Sequence, residues 1–306
     1  MGVCFRFVKL TLVAVLGSLV ANADPGPHVE SDAGAAADLV DSLETSVALM
    51  RSLSPFDVVG ELSDIRVFEA GADGDVAMKF RLQLDRERET AIYAAERHDH
   101  GRFMINALVI AEKKIKKFPI VPENRGGAIL DFEEALLESG ALLPDFFPVI
   151  RFPYYDDGKK ELAVLSSAIL SKTSTVKRES EGSDVRYSVR VDASNGGFDL
   201  REWVFSKEKA VPIKYSVSRA IGDYPLVKYF TQSITWGEKD GHDVPSHISV
   251  EGLAVRPEAK GGTYERGDAV KTLNLKWLRV RRAGSNKIPE LRSPSDVSNF
   301  IEEGPH

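Results

Sequence analysis

The sequence predicts an α+β protein built on a large, curved antiparallel sheet with a few helices. Apolar and polar residues alternate from Val76 through Phe80 to Leu84, and the same period of two returns in several segments of the second half. Such alternation is typical of strands with one buried face. Short polar connections, such as 206–209 and 238–241, join these segments as hairpin loops do. We therefore expect about ten strands in a single antiparallel arrangement.

A helix precedes the predicted strands. Leu39, Leu43, Val47 and Met50 recur at spacings of three and four residues, with polar residues between them. This is the pattern of an amphipathic helix with one apolar stripe, which a neighbouring sheet would cover. The pattern ends at Ser54-Pro55, because a proline disfavours helical geometry in the residue that precedes it.

The remaining elements follow from the same signals. A capping serine followed by proline and an early acid predicts a last short helix from 293. The stretch 173–184 is polar and is predicted to be an exposed loop. The strands are predicted at 58–68, 76–85, 90–97, 103–115, 185–191, 198–205, 211–217, 226–236, 244–250 and 273–280.

The first 23 residues have the features of a cleavable export signal. Arg6 and Lys9 are followed by an apolar run, and the run ends in Ala21-Asn22-Ala23. The run is about 11 residues long, whereas a spanning helix needs roughly 20. An uncleaved N-terminal anchor is the alternative. We expect the mature protein to lie in the periplasm or outside the cell.

Three segments are expected: a signal peptide at 1–23, a flexible leader at 24–34 and a single domain at 35–306. Cys4 is the only cysteine, so the mature chain would have no thiol, disulfide or cysteine-ligated metal. The net charge is −6, and it would become −8 when the signal is removed with its two basic residues and no acid. An acidic chain with scattered basic residues argues against a nucleic-acid partner. No later apolar stretch is long enough to span a membrane.

No catalytic motif points to an enzyme. The chain has no Gly-x-Ser-x-Gly, no His-Glu-x-x-His and no glycine-rich phosphate loop. The acidic pairs at 133–134 and 156–157 are expected to be solvated, and the His-Asp-His triplet at 98–100 is expected to be a surface turn and not a metal site. We therefore predict no catalytic residue, no metal and no cofactor. A hydrolase with an unrecognised site is the alternative.

Aromatic residues supply the candidates for ligand binding. Five of the ten residues from 146 to 155 are aromatic, and prolines interrupt them. Such a segment either plugs one end of the core or forms a flap over an apolar cavity. Trp203 and Trp236 lie on predicted strands, where they either pack in the core or line a cavity.

Two hairpins in the second half carry a resemblance to a known family. In the first, Phe198-Asp199-Leu200-Arg201-Glu202-Trp203 is followed by Val211-Pro212-Ile213-Lys214-Tyr215. In the second, Ile234-Thr235-Trp236-Gly237-Glu238 leads through Gly241 to Val244-Pro245-Ser246-His247-Ile248. Together with the export signal and the leading helix, they make the chain resemble the periplasmic lipoprotein-carrier superfamily, as a distant secreted bacterial relative.

This resemblance implies a half-barrel sheet that is closed by helices around an apolar cavity, which in the family holds acyl chains. Arg201 is the nearest candidate for the family's ligand-reading arginine, and a salt-bridged surface arginine is the alternative. We accordingly predict an exported, non-enzymatic protein that binds a lipid or other apolar ligand. The alternative is an envelope scaffold or protein-interaction module with a filled core and an envelope protein as its partner. The predicted ligand-binding residues are Phe146, Phe147, Phe152, Tyr154, Trp203, Trp236 and Arg201.

Overall fold

The computed structural model describes two helices and thirteen strands. The described residues are 33–68, 71–72, 76–99, 102–112, 114–119, 132, 166–167, 169–170, 174–192, 197–220, 226–257, 264–284 and 288–302. The elements are α1 (Ala33–Ser52), β1 (Phe56–Phe68), β2 (Gly71–Ala72), β3 (Val76–Asp85), β4 (Thr90–Asp99), β5 (Arg102–Ala111), β6 (Lys114–Phe118), β7 (Ser174–Glu181), β8 (Asp184–Asp192), β9 (Phe198–Ser206), β10 (Pro212–Ala220), β11 (Val227–Lys239), β12 (His242–Pro257), β13 (Tyr264–Val280) and α2 (Pro294–Glu302).

All of these strands belong to one antiparallel sheet. Twelve of them follow the order β6-β5-β4-β3-β1-β13-β12-β11-β10-β9-β8-β7, and the short β2 pairs with β1. Strands next to each other in this order also follow one another along the chain, apart from β1 and β13 and the small interruption at β2. The pairing of β1 with β13 joins the first long strand to the last, with Leu62 opposite Leu273. The sheet edges are therefore β6 and β7, and their described residues do not pair with each other.

The two faces of the sheet carry different layers. On β1, Val58 contributes to the larger core together with α1, and the neighbouring Asp57 points to the opposite face near α2. We call these the α1 face and the α2 face. The α1 face buries Leu39 and Leu43 of the helix, and Leu53 just after it, against nearly every strand of the sheet. Neither described helix is long and apolar enough to cross a membrane.

The second helix covers a smaller core on the α2 face. Val297, Phe300 and Ile301 pack there against β4 and β5. The helix begins with a reciprocal cap: the Asp296 carboxylate accepts from the Ser293 backbone N–H at 2.8 Å, and the Ser293 hydroxyl accepts from the Asp296 N–H at 3.2 Å. These bonds satisfy donors that every helix start leaves open. Hydrogen bonds from the Ser293 side chain and from the backbone N–H groups of Arg292 and Ser293 lower the pKa of the Asp296 carboxylate.

The predicted large antiparallel sheet with few helices is confirmed, and the number of strands is larger than expected. The segment 103–115, predicted as one strand, is divided between β5 and β6. Glu112 adopts a φ of 53° between them, which is the left-handed geometry of a tight turn. The chain reverses there, and Ala111 pairs with Lys114.

Two segments that were predicted as loops are strands. The polar stretch 173–184 contains β7, which pairs with β8 at the sheet edge, with Val176 opposite Val189. An edge strand has one neighbour and much exposed surface, so it lacks the continuous apolar face that marks an inner strand. Likewise His98 and Asp99 end β4, where the His98 ring lies 4.8 Å from the Phe103 ring on β5. In both segments, hydrogen bonds to the neighbouring strand make the chain a strand although its residues are polar.

Candidate functional site

A group of polar side chains lies within the apolar α1 face of β9, β10 and β11. Trp203, Tyr215 and Gln232 stand opposite one another on these three strands. Arg201 precedes Trp203 by two residues and therefore points to the same face. We call Arg201, Trp203, Tyr215 and Gln232 the polar cluster.

Several polar atoms of this cluster are buried without a hydrogen-bond partner. Gln232 is 0% exposed, and neither its amide nitrogen nor its amide oxygen is hydrogen-bonded within the described structure. Trp203 is also 0% exposed, and its Nε1 has no hydrogen-bond partner within the described structure. The same holds for the buried Nε of Arg201. Buried polar atoms are nearly always satisfied in folded proteins, because an unsatisfied one costs about 1–3 kcal/mol. The unsatisfied atoms of the cluster lie on β9 and β11, on either side of the strand that carries Tyr215.

The other two tryptophans show that this condition is specific to Trp203. The Nε1 of Trp236 donates to the Pro212 carbonyl at 2.8 Å, and that of Trp277 donates to the Pro245 carbonyl at 2.7 Å. Both indole N–H groups are bound by backbone carbonyls, whereas that of Trp203 has no hydrogen-bond partner among the described residues. Trp203 is positioned by its ring, which stacks on Tyr215 with the centroids 4.9 Å apart.

Arg201 brings positive charge to the cluster. It forms no ion pair with any carboxylate of the described chain, and it hydrogen-bonds the side chain of Tyr215. The nearest acid on the same strand face, Asp199, is held in a two-point contact by Arg219, with Nε–Oδ1 at 2.5 Å and Nη2–Oδ2 at 2.9 Å. Burial raises the pKa of Tyr215 to about 12, so Tyr215 stays neutral and the charge of Arg201 is not compensated by it.

The surroundings of the cluster are aromatic and aliphatic. Phe230 packs edge-on against Tyr215 with ring centroids 5.5 Å apart. Val189 lies opposite Arg201 on β8, and Val250 lies opposite Gln232 on β12. The cluster thus combines a few convergent polar groups with an apolar wall, which is the composition of sites for small amphipathic molecules.

One end of the sheet exposes apolar side chains. It is the end at which β1 finishes and β5, β11 and β13 begin, and the exposed fractions there reach 53% for Phe103 and 52% for Val67. Val67 and Phe103 are each an odd number of residues from α1-face residues of their own strands, Leu62 and Leu108, so both point to the α2 face, opposite the polar cluster. The other exposed large apolar residues on these strands or next to them are Ile65, Met104, Leu226, Tyr229 and Val270.

The most buried ionic group lies on the opposite face and serves the packing of α2. Asp57 is 0% exposed and accepts from Arg81 Nε at 2.9 Å, from Gln83 at 2.9 Å and from Arg279 at 3.1 Å. Arg81 also donates to the Phe300 carbonyl at 2.7 Å, near the negative end of the α2 dipole. A carboxylate fully engaged by cations and amides is a structural anchor and not a free acid or base.

The described residues hold no group of three or more histidine, cysteine or acidic side chains that could bind a metal ion. Asp64, the other buried carboxylate in that part of the chain, pairs with Arg66 at 3.1 Å and with Lys271 at 3.7 Å. Neither finding tests whether the protein is an enzyme, and its non-enzymatic nature remains a prediction.

Among the predicted ligand-binding residues, Arg201 and Trp203 are brought together in the polar cluster. Trp236 packs on the same core, but its indole N–H is already used by the chain. Phe146, Phe147, Phe152 and Tyr154 lie outside the described residues, so their predicted role stays a prediction.

Sequence reasoning did not identify Tyr215 and Gln232. A signal for Gln232 was present, because it takes an apolar position in the alternation of Phe230, Ile234 and Trp236 along β11. A polar residue at a core position of a strand is unusual and indicates a specific partner. The Tyr215 signal was weaker, since a tyrosine on a strand commonly packs its ring in the core.

Comparison with known proteins shows neither a family nor a function for the chain. No protein-family model and no curated protein matches the chain. Among solved structures, it is similar to a DUF1329 family protein from Desulfovibrio piger, at 7% identity and a TM-score of 0.36, over 84% of this chain and 96% of that one. It is also similar to a porin-like protein from Bacteroides uniformis, at 7% identity and a TM-score of 0.19, over 74% of this chain and 98% of that one. At these scores neither similarity bears on function, and membership of the lipoprotein-carrier superfamily stays a prediction.

Proposed function

We propose that this protein is an exported, non-enzymatic binding protein that holds an amphipathic ligand against the α1 face of its sheet. The observation that carries the proposal is the group of buried polar atoms on Arg201, Trp203 and Gln232 that have no hydrogen-bond partner in the described part of the chain. Burying polar atoms without hydrogen bonds destabilises the ligand-free protein, and a bound ligand that supplied those hydrogen bonds would offset this loss. The predicted half-barrel with an apolar cavity is the form in which such a ligand would be enclosed.

The surroundings of the cluster favour a ligand with an apolar part. Phe230, Val189 and Val250 border the polar atoms, so a molecule that satisfies them also contacts hydrocarbon and aromatic surface. A purely polar solute would gain nothing from this surface.

The experiment is a direct search for the ligand, followed by a binding titration. The purified full chain is extracted with chloroform and methanol, and the extract is analysed by mass spectrometry. The extracted protein is then titrated with the neutral apolar dye N-phenyl-1-naphthylamine, and energy transfer from tryptophan to the dye is recorded. We expect a co-extracted amphiphile in stoichiometric amount and saturable binding of the dye. If no amphiphile is recovered and the dye does not bind saturably, the proposal is wrong.

A scaffold or interaction module with a filled core is the second candidate, and one observation supports it. Leu39 of α1 and Leu53, which directly follows the helix, are both 0% exposed, so this part of the chain fills some of the face that a ligand would need. This function predicts a protein partner that chemical cross-linking recovers from the cell envelope, together with an empty lipid extract. A ligand in the extract would contradict it.

A further inference from the structure

We propose that the polar cluster recognises an oxyanion headgroup, so that the ligand is a single-chain amphiphile with a carboxylate or phosphate at its end. This inference rests on the proposed binding function and specifies the class of ligand. Its first ground is charge. Arg201 carries a positive charge into a largely buried apolar face and has no carboxylate partner in the described chain.

The two described acids that are nearest to Arg201 along its strand are engaged elsewhere. Asp199, two residues away on the same face, is bound at two points by Arg219. Glu202 follows Arg201 directly and so points to the other face, where it accepts from the Ser216 hydroxyl at 3.1 Å. An arginine in this setting attracts an anion, because its planar guanidinium binds carboxylate and phosphate oxygens with charge-assisted hydrogen bonds.

The second ground is the balance of donors and acceptors. The cluster atoms without a partner among the described residues comprise three donor nitrogens, on Arg201, Trp203 and Gln232, and a single acceptor, the Gln232 amide oxygen. A ligand group that complements them is rich in acceptors and offers at most one donor. Carboxylates and phosphates meet this requirement, an alcohol meets it poorly, and a quaternary ammonium group has no acceptor at all.

The third ground is spacing. Trp203 and Gln232 are separated by the strand that carries Tyr215, so their backbones lie about 10 Å apart, at about 4.8 Å per strand spacing. A headgroup with several oxygens spans this gap better than a lone carboxylate. A phosphate monoester also retains a hydroxyl part of the time near neutral pH, which would donate to the Gln232 oxygen. We therefore expect alkyl phosphates to bind at least as well as fatty acids.

The test compares four twelve-carbon probes on the extracted full-length protein by isothermal titration calorimetry: dodecyl phosphate, dodecanoate, 1-dodecanol and dodecyltrimethylammonium. The chain length is constant, so the apolar contribution is matched and only the headgroup differs. We expect both anions to bind at least about tenfold more tightly than dodecanol, as one charge-assisted hydrogen bond would provide. The ammonium probe should bind more weakly than dodecanol. The order of the two anions distinguishes a phosphate source from a carboxylate source.

Two variants assign the preference to the cluster. Arg201→Met should lower the affinity for the anions at least about tenfold more than the affinity for dodecanol. The matched control is Arg190→Met on β8, because Arg190 points to the other face, is exposed and pairs with Asp192 at 2.8 Å. The control should keep the headgroup preference of the unmodified protein. The probe series on the unmodified protein decides the question even if Arg201→Met fails to fold.

The outcomes separate the inference from the function on which it rests. If all four probes bind with similar affinity, a ligand site exists and the oxyanion inference is wrong. If none of them binds, the proposed function fails together with the inference. If Arg190→Met abolishes the preference as fully as Arg201→Met does, recognition does not lie in the polar cluster and the inference is again overturned.

Discussion

Replacing Gln232 with methionine should make the ligand-free protein more stable. The amide of Gln232 is 0% exposed and neither of its polar atoms has a hydrogen-bond partner in the described structure. A buried polar group in this state costs about 1–3 kcal/mol. Methionine has a similar length and volume, and a volume-conserving core substitution costs less than about 1.5 kcal/mol. We therefore expect a net gain in the free energy of unfolding of about 1 kcal/mol.

The control is the same substitution at Gln83, where the amide is used. Its Nε2 donates to Asp57 Oδ2 at 2.9 Å, and a hydrogen bond to a charged group is worth about 1.5–3 kcal/mol. Gln83→Met should lower stability by about this amount, so two identical changes in one sheet are expected to act in opposite directions. Both are measured by urea unfolding of the extracted protein, with tryptophan fluorescence as the signal and the m-value compared between variants.

The result that would refute this reasoning is a loss of stability in Gln232→Met that equals the loss in Gln83→Met. It would mean that the Gln232 amide already has a partner in the ligand-free protein, such as a buried water molecule. Gln232→Met should also weaken the binding of dodecyl phosphate. A gain in stability with a loss of binding is the trade-off expected where a site is kept incomplete for its ligand.

Two further predictions concern the frame that holds the site. Asp57→Asn should lower the free energy of unfolding by about 3–5 kcal/mol, because it removes the negative charge that Arg81 and Arg279 share. The control Asp192→Asn, at an exposed ion pair, should change the free energy of unfolding by less than about 1 kcal/mol. Equal effects of the two substitutions in urea unfolding would contradict this prediction. Gly60→Ala should destabilise by about 1–3 kcal/mol, because its new methyl would lie 2.1 Å from the Phe80 ring. Gly237→Ala is the control, because its new methyl would meet no atom closer than 3.5 Å. Both variants are compared by thermal unfolding, and a smaller loss of stability in Gly60→Ala than in Gly237→Ala would show that the contact with the Phe80 ring is unimportant.

The elements with one clear periodicity could be predicted from the sequence. The apolar stripe from Leu39 to Met50 gave α1, and the alternation around Phe80 gave β3, because a buried face imposes its period directly on the residues that form it. Segments at the sheet edge did not follow this rule. The charged β7 resembles a loop, since a strand with one neighbour buries little, and only its pairing with β8 makes it a strand.

The sequence by itself determined that this chain forms a large antiparallel sheet with few helices, and it placed Arg201 and Trp203 among the candidates. The tertiary structure decided which side chains meet. Pairing of β1 with β13, about two hundred residues apart, places the sheet edges in the middle of the chain. Register across β9, β10 and β11 then sets Trp203, Tyr215 and Gln232 in one row. No local pattern encodes that row, because neighbours across a sheet are distant in sequence, and the unpartnered amide became visible only when its surroundings were known.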